Sequence, residues 1–124
     1  MGTKGMESKL EVRSEMRGDQ VRVYTLSGSL FGSSDGYAFQ HDIRQLASSG
    51  LRGIVIDFAE VRRIDSCGVG IVVSMMWSVS QAGGRLILAA LPERIREVLS
   101  IAMLLDHIDH ADTVQEALAK LEAE

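Results

Sequence analysis

Two short runs set the tightest limit on the fold: Gly53-Ile54-Val55-Ile56-Asp57-Phe58 and Arg85-Leu86-Ile87-Leu88-Ala89-Ala90. A strand with one wet face alternates apolar and polar residues. A run without that alternation has to be covered on both faces, as in a parallel sheet flanked by helices. The segment between the two runs agrees with this. From Val69 to Val79 apolar residues fall on most of a helix surface, which predicts a largely buried helix from Gly68 to Gln81, ended by Gly83-Gly84.

The remaining elements follow from local signals. Leu10, Val12 and Met16 alternate with Glu11, Arg13 and Glu15, as in a half-buried strand. Arg17-Gly18-Asp19-Gln20 reads as a turn, and Val21 to Leu26 as the second arm of a hairpin. Gly28 to Gly36 is rich in Gly and Ser and reads as a loop. Phe39, Ile43 and Leu46 then form the apolar side of a helix that stops near Gly50, and Val61 to Ile64 reads as a link after the first apolar run. Pro92 opens a helix from Glu93 to about Ile101, with Ile95, Val98 and Leu99 inward. His107 to His110 reads as a short edge strand. Thr113 caps a last helix in which Glu116 completes a capping box. The order ββαβαβαβα predicts one α/β domain over residues 9–124: a mixed, mostly parallel sheet with an N-terminal antiparallel hairpin and about four helices. Residues 1–8 are expected to be disordered.

Charge and cysteine content exclude several classes. A formal charge of −4 and a pI near 5.3 argue against nucleic acid as a partner. Between Pro92 and Glu124 eight carboxylates face three bases, which reads as a solvated acidic face. A single Cys excludes an internal disulfide framework. No apolar run is long enough to span a bilayer, the start of the chain has no signal-peptide pattern, and Met6 breaks a myristoylation motif at Gly2. The expectation is a cytoplasmic protein without membrane contact.

Few residues offer chemistry. The Gly28–Gly36 stretch lacks the Gly-Lys-Ser/Thr ending of a phosphate-binding loop, so a plain turn is favoured. His107 and His110 are three apart, which in a strand sends them to opposite sides, and no metal or cofactor is expected. Cys67 begins a helix, where the dipole favours a thiolate, but nothing places a His beside it. A buried, inert thiol is the expectation. The segment Asp65-Ser66-Cys67-Gly68-Val69-Gly70 is the informative one, because it joins a buried strand to a buried helix at the carboxyl edge of the sheet, where α/β folds bind ligands. A helix cap by Asp65 or Ser66 explains the same residues, and both readings stand.

These residues carry a resemblance. Ile54 to Phe58, then Ile64-Asp65-Ser66-Cys67-Gly68-Val69-Gly70, then Ala82-Gly83-Gly84-Arg85-Leu86 resemble the STAS domain of anti-sigma factor antagonists, whose signature contains Asp-Ser-Ser-Gly-Leu-Gly. Leu26-Ser27-Gly28-Ser29-Leu30 resembles the family's Leu-x-Gly-x-Leu segment. The likeness runs from about Leu10 to Leu121.

The resemblance implies a non-enzymatic protein that docks on an anti-sigma factor which is also a serine kinase, thereby controlling transcription. It further implies that phosphorylation of the second Ser of the signature ends the complex. The implied switch and docking residues are Asp65, Ser66, Cys67, Gly68 and Gly70, with Gly28, Phe31, Ser33 and Ser34 in the adjacent loop. Here the acceptor position is Cys67, and Phe31 stands where the family commonly has an acid, so the phosphoswitch is doubtful, with Ser66 as a substitute acceptor. The alternative is a STAS scaffold in a transporter, stressosome-like or secretion assembly. The resemblance is compatible with a homodimer.

Overall fold

A computed structural model describes residues 9–123. The expectation of disorder for residues 1–8 lies outside the described residues. Five strands, β1 (Leu10–Arg17), β2 (Val21–Leu30), β3 (Gly53–Ile64), β4 (Arg85–Ala89) and β5 (His110–Ala111), form one sheet in the order β1-β2-β3-β4-β5. β1 and β2 are an antiparallel hairpin turned at Gly18, and the other pairs are parallel. The helices are α1 (Ser34–Ala47), α2 (Ser66–Gln81), α3 (Glu93–Ile101) and α4 (Val114–Glu122).

Strands added in chain order through crossovers of one hand place their helices on one face. Accordingly Phe39 and Ile43 of α1, Ile71 and Met75 of α2, and Ile95 and Leu99 of α3 share one core with Ile54, Ile56 and Leu88. The ring of Phe39 meets Tyr24 of β2 edge-on, with centroids 5.3 Å apart. Burial of Tyr24 raises its hydroxyl pKa above the ordinary value. Among the described residues only α4 covers the other face, where Ala117 and Leu121 pack on Val23, Val55 and Ile87. This arrangement explains why β3 and β4 lack polar alternation. Arg52 Nη2 donates to the carbonyl of Leu121 at 3.1 Å, placing a cation at the C-terminus of α4, where the helix dipole favours one. At the other end of α4, Thr113 Oγ1 accepts from Glu116 N–H at 3.0 Å, while the Glu116 carboxylate accepts from Asp112 N–H at 3.2 Å. The reciprocal cap forms, with the backward bond one residue earlier than a standard capping box.

Four expectations change. The Gly28–Gly36 loop shrinks to Phe31–Ser33, because β2 continues to Leu30 alongside a β3 that itself runs on to Ile64. Register shifts between Thr25 and Ser27 and between Gly28 and Ser29 absorb the mismatch, and Gly28 takes φ +104°, which a side chain would resist. The predicted link Val61–Ile64 is therefore strand. β1 has only Leu10 buried, since among the described residues no element covers the rest of it. Lastly, the edge strand is His110–Ala111 alone, with His107 in a 3-10 turn (Leu105–His107).

Candidate functional site

Asp65 follows β3 in an extended conformation and caps α2. Its Oδ1 accepts from Gly68 N–H at 2.7 Å, satisfying one of the unpaired donors of the first helical turn. Its Oδ2 accepts from Gly32 N–H at 3.4 Å. One carboxylate thus ties the loop after β2 to the turn after β3. Of the two readings left open by the sequence, the helix cap is formed, and the same side chain also joins the two loops.

Close backbone contact keeps the two loops together. A Cβ on Gly32 would lie 2.5 Å from Cys67 Cβ and 2.9 Å from its Sγ, so only glycine fits there without movement. A Cβ on Gly68 would run into the carbonyl oxygen of Leu30 and come within 2.8 Å of Ile64 Cγ1. Gly68 is buried for that reason. Gly70 differs: it is exposed, and a Cβ there would meet nothing within 4 Å. Steric need explains Gly68 and leaves Gly70 unexplained by the fold.

Cys67 is exposed, which overturns the expectation of a buried thiol. Its position at the first turn of α2, above the Gly32 backbone, turns its side chain outward. Tyr37 of α1 stands beside Cys67, and its interaction with that side chain raises the Tyr37 pKa above its ordinary value. Ser66 is exposed beside Cys67. Ser33 caps α1 by accepting from Gly36 N–H at 3.5 Å, Ser34 is exposed at its first position, and Phe31 is half-buried. Gly28 does not join this cluster. It stands inside β2 opposite Leu10 and Val61, and a Cβ would strike the Lys9 carbonyl.

Helix α2 is buried on one side only. Ile71, Val72, Met75 and Val79 enter the core, whereas Val73 and Trp77 are 41% and 65% exposed. The expectation of a largely buried helix therefore holds for one side only, because α1 flanks it and β4 supports it while no other described element covers its outer side. Gly70, Val73 and Trp77 follow at helical spacing from the Ser66–Cys67 turn, so a low, apolar strip leads directly away from the exposed thiol. Tyr37, Gly32, Val73 and Trp77 also lie at this surface, and the sequence did not single them out one by one. The signal for the last two lay in an apolar pattern too wide for one buried face.

Asp65→Ala removes the cap and the tie to Gly32. The expected loss is about 0.5–2 kcal/mol, typical of a removed helix cap, read as a melting temperature lower by a few degrees. An unchanged melting temperature would remove the structural role and leave only surface chemistry for Asp65.

A sequential five-stranded sheet with three helices on one face, and a capped turn of this sequence beside a glycine loop, define the STAS class. The chain belongs to this family: the STAS domain model matches residues 14–117. A candidate anti-sigma factor antagonist of Thermotoga neapolitana is 33% identical over 78 residues, 63% of this chain and 69% of its own. The crystal structure of a candidate anti-sigma factor antagonist of Thermotoga maritima superposes with a TM-score of 0.81 at 23% identity, over 90% of this chain and 94% of the other. The anti-sigma factor antagonist SpoIIAA in its unphosphorylated form gives 0.76 at 24% identity over 92% and 98%. The phosphorylated form of SpoIIAA, a Bacillus cell fate determinant, gives 0.63 at 25% identity over 90% and 99%. The chain is thus an anti-sigma factor antagonist-like STAS domain, related to a regulatory and non-enzymatic class. Among the described residues no helix is long and apolar enough to cross a membrane.

Proposed function

We propose that this protein is an anti-sigma factor antagonist that docks on an anti-sigma factor of the serine-kinase type and so controls transcription. The docking face comprises the Phe31–Ser34 segment, the Asp65–Gly70 turn and the outer strip of α2. Gly70 is the observation that carries this reading. Glycine within a helix costs about 0.5–1 kcal/mol relative to alanine, and here no neighbour requires it. A bare backbone in the middle of an exposed apolar strip is accounted for by a partner surface that approaches closely. The adjoining Val73 and Trp77 supply the apolar and aromatic area that interface centres favour.

At the acceptor position, Cys67 retains the approximate size of Ser but not its hydroxyl. The binding-competent surface is kept, and the ordinary phosphoswitch is lost. This departure also favours a second reading, a STAS scaffold within another regulatory assembly. Affinity capture followed by identification of the bound protein separates the two, since the first requires a kinase-type anti-sigma factor. With that partner, Gly70→Trp should weaken binding by at least about tenfold, the scale of a disturbed interface centre, while circular dichroism stays native. Unchanged affinity would remove this face from the interface.

A further inference from the structure

The sheet has two edges of very different character. The β5 edge is two residues long, the short form that natural sheets use to limit pairing with other chains. The β1 edge is eight residues long and exposed from Glu11 onward. In an antiparallel strand the N–H and C=O of one residue point to the same side, and the side alternates along the chain. The Lys9 carbonyl accepts from Ser29 N–H of β2 at 3.1 Å, so the odd-numbered residues of β1 face β2. Leu10 N–H points away, to the Asp35 carboxylate at 3.3 Å. By the same alternation Val12, Ser14 and Met16 present their backbone groups to the open edge.

Side chains alternate as well. Glu11, Arg13, Glu15 and Arg17 lie on one face of β1, and Val12, Ser14 and Met16 on the other, the face that carries Leu10 into the core. We propose that this edge pairs with the β1 edge of a second copy, antiparallel about a two-fold axis through Ser14, joining two five-stranded sheets into one.

The register follows from the charges. With Ser14 opposite Ser14 of the second copy, Glu11 stands opposite Arg17 and Arg13 opposite Glu15, each twice by symmetry. On the other face Val12 stands opposite Met16, bringing together side chains that are 41% and 39% exposed in the single chain. The backbone groups match too, because Val12, Ser14 and Met16 all face the edge and pair with one another, allowing about six hydrogen bonds.

Alternative registers are disfavoured. A slip of two residues one way sets Arg13 against Arg13 and Glu11 against Glu15. The opposite slip sets Glu15 against Glu15 and Arg13 against Arg17, and in-register parallel pairing sets every charge against itself. Like charges directly opposite destabilise a pair of strands. A slip of four restores opposite charges, but one way it needs the Leu10 N–H, already held by Asp35, and the other way it keeps only Glu15 opposite Arg17. Charge and backbone together favour one closed, isologous pairing and oppose open-ended growth of the sheet. None of the residues involved belongs to the proposed docking face, so the two readings stand or fall separately.

The test is sedimentation equilibrium of the full chain from micromolar to millimolar concentration. The wild type should pass reversibly from monomer to dimer. Arg13→Glu alone and Glu15→Arg alone each place like charges across the axis and should weaken dimerisation by at least about tenfold. An equimolar mixture of these two variants should restore a dimer, because the carboxylates at positions 13 and 15 of one chain then face guanidinium groups at positions 15 and 13 of the other. The double exchange in one chain should restore a homodimer by the same pairing. Circular dichroism of the single variants should remain native, both positions being exposed. A wild type that stays monomeric overturns the proposal. So do a dimer indifferent to the single substitutions and a mixture that fails to restore it.

Discussion

Incubated with its cognate kinase and ATP, the wild-type protein should gain no phosphate, whereas Cys67→Ser should gain one per chain. Intact-mass measurement reads the difference directly. Position 67 is exposed at the first turn of α2, so access does not limit the reaction. The missing element is chemical: a thiol does not replace a hydroxyl as the ordinary acceptor of a serine kinase. Ser66 has the hydroxyl and is also exposed, but successive helical residues point about 100° apart. A kinase that aligns its γ-phosphate with position 67 therefore meets Ser66 poorly.

The substitution restores an acceptor without disturbing the cap, since Asp65 holds the turn through backbone N–H groups rather than through the Cys67 side chain. Phosphate added there would lie beside the Asp65 carboxylate and on the apolar strip of Val73 and Trp77. About −1.5 to −2 charges in that place would oppose docking by repulsion and desolvation. On the proposed reading the wild type, lacking that step, should stay in its partner-binding state or be switched by synthesis, a second ligand or thiol oxidation. Stoichiometric phosphate on wild-type Ser66 would overturn this account and restore a switch displaced by one residue.

Replacing Gly68 by Ala and Gly70 by Ala should shift stability in opposite directions. At Gly68 the new methyl group meets the Leu30 carbonyl, a backbone atom that cannot swing aside. Relief requires α2 to move off the end of β2, which stretches both bonds of the Asp65 carboxylate. Overpacking of this kind costs ~1–3 kcal/mol or more, so the melting temperature should fall by roughly 5–15 °C. At Gly70 the methyl group enters open space, and alanine lowers the conformational entropy lost on folding. A gain of about 0.5–1 kcal/mol, or a few degrees, is expected. Thermal denaturation of the two variants side by side checks both signs. Movement in the same direction would show that the two glycines serve one purpose, and the assignment of Gly70 to a partner surface would lose its support.

Much of the fold was legible in the residues themselves. The unbroken apolar runs at 54–58 and 86–90 required a sheet covered on both faces, and α4 on one face with three helices on the other supplies that cover. Asp65 and Thr113 announced their helices because a capping oxygen acts on donors only two or three residues away. Gly18 marked the hairpin for the same local reason. The Asp65–Gly70 turn was legible as a motif, together with its place at the carboxyl edge of the sheet.

The tertiary structure decided where each local pattern ended and which surfaces it covered. Gly28, Ser29 and Leu30 have the composition of a loop, yet they are strand, because the extension of β3 to Ile64 supplies partners that no local propensity records. Cys67, Val73 and Trp77 have the composition of a core, yet they face outward, because hydrophobicity states what a residue favours and not whether a neighbouring element is there to cover it. Likewise the alternation in β1 was visible from the start, but only the strand order left that alternation on an open edge. Caps, turns and periodicity act over a few residues and are carried by the sequence alone. Exposure depends on contacts between segments far apart in the chain, and only the assembled fold determines it.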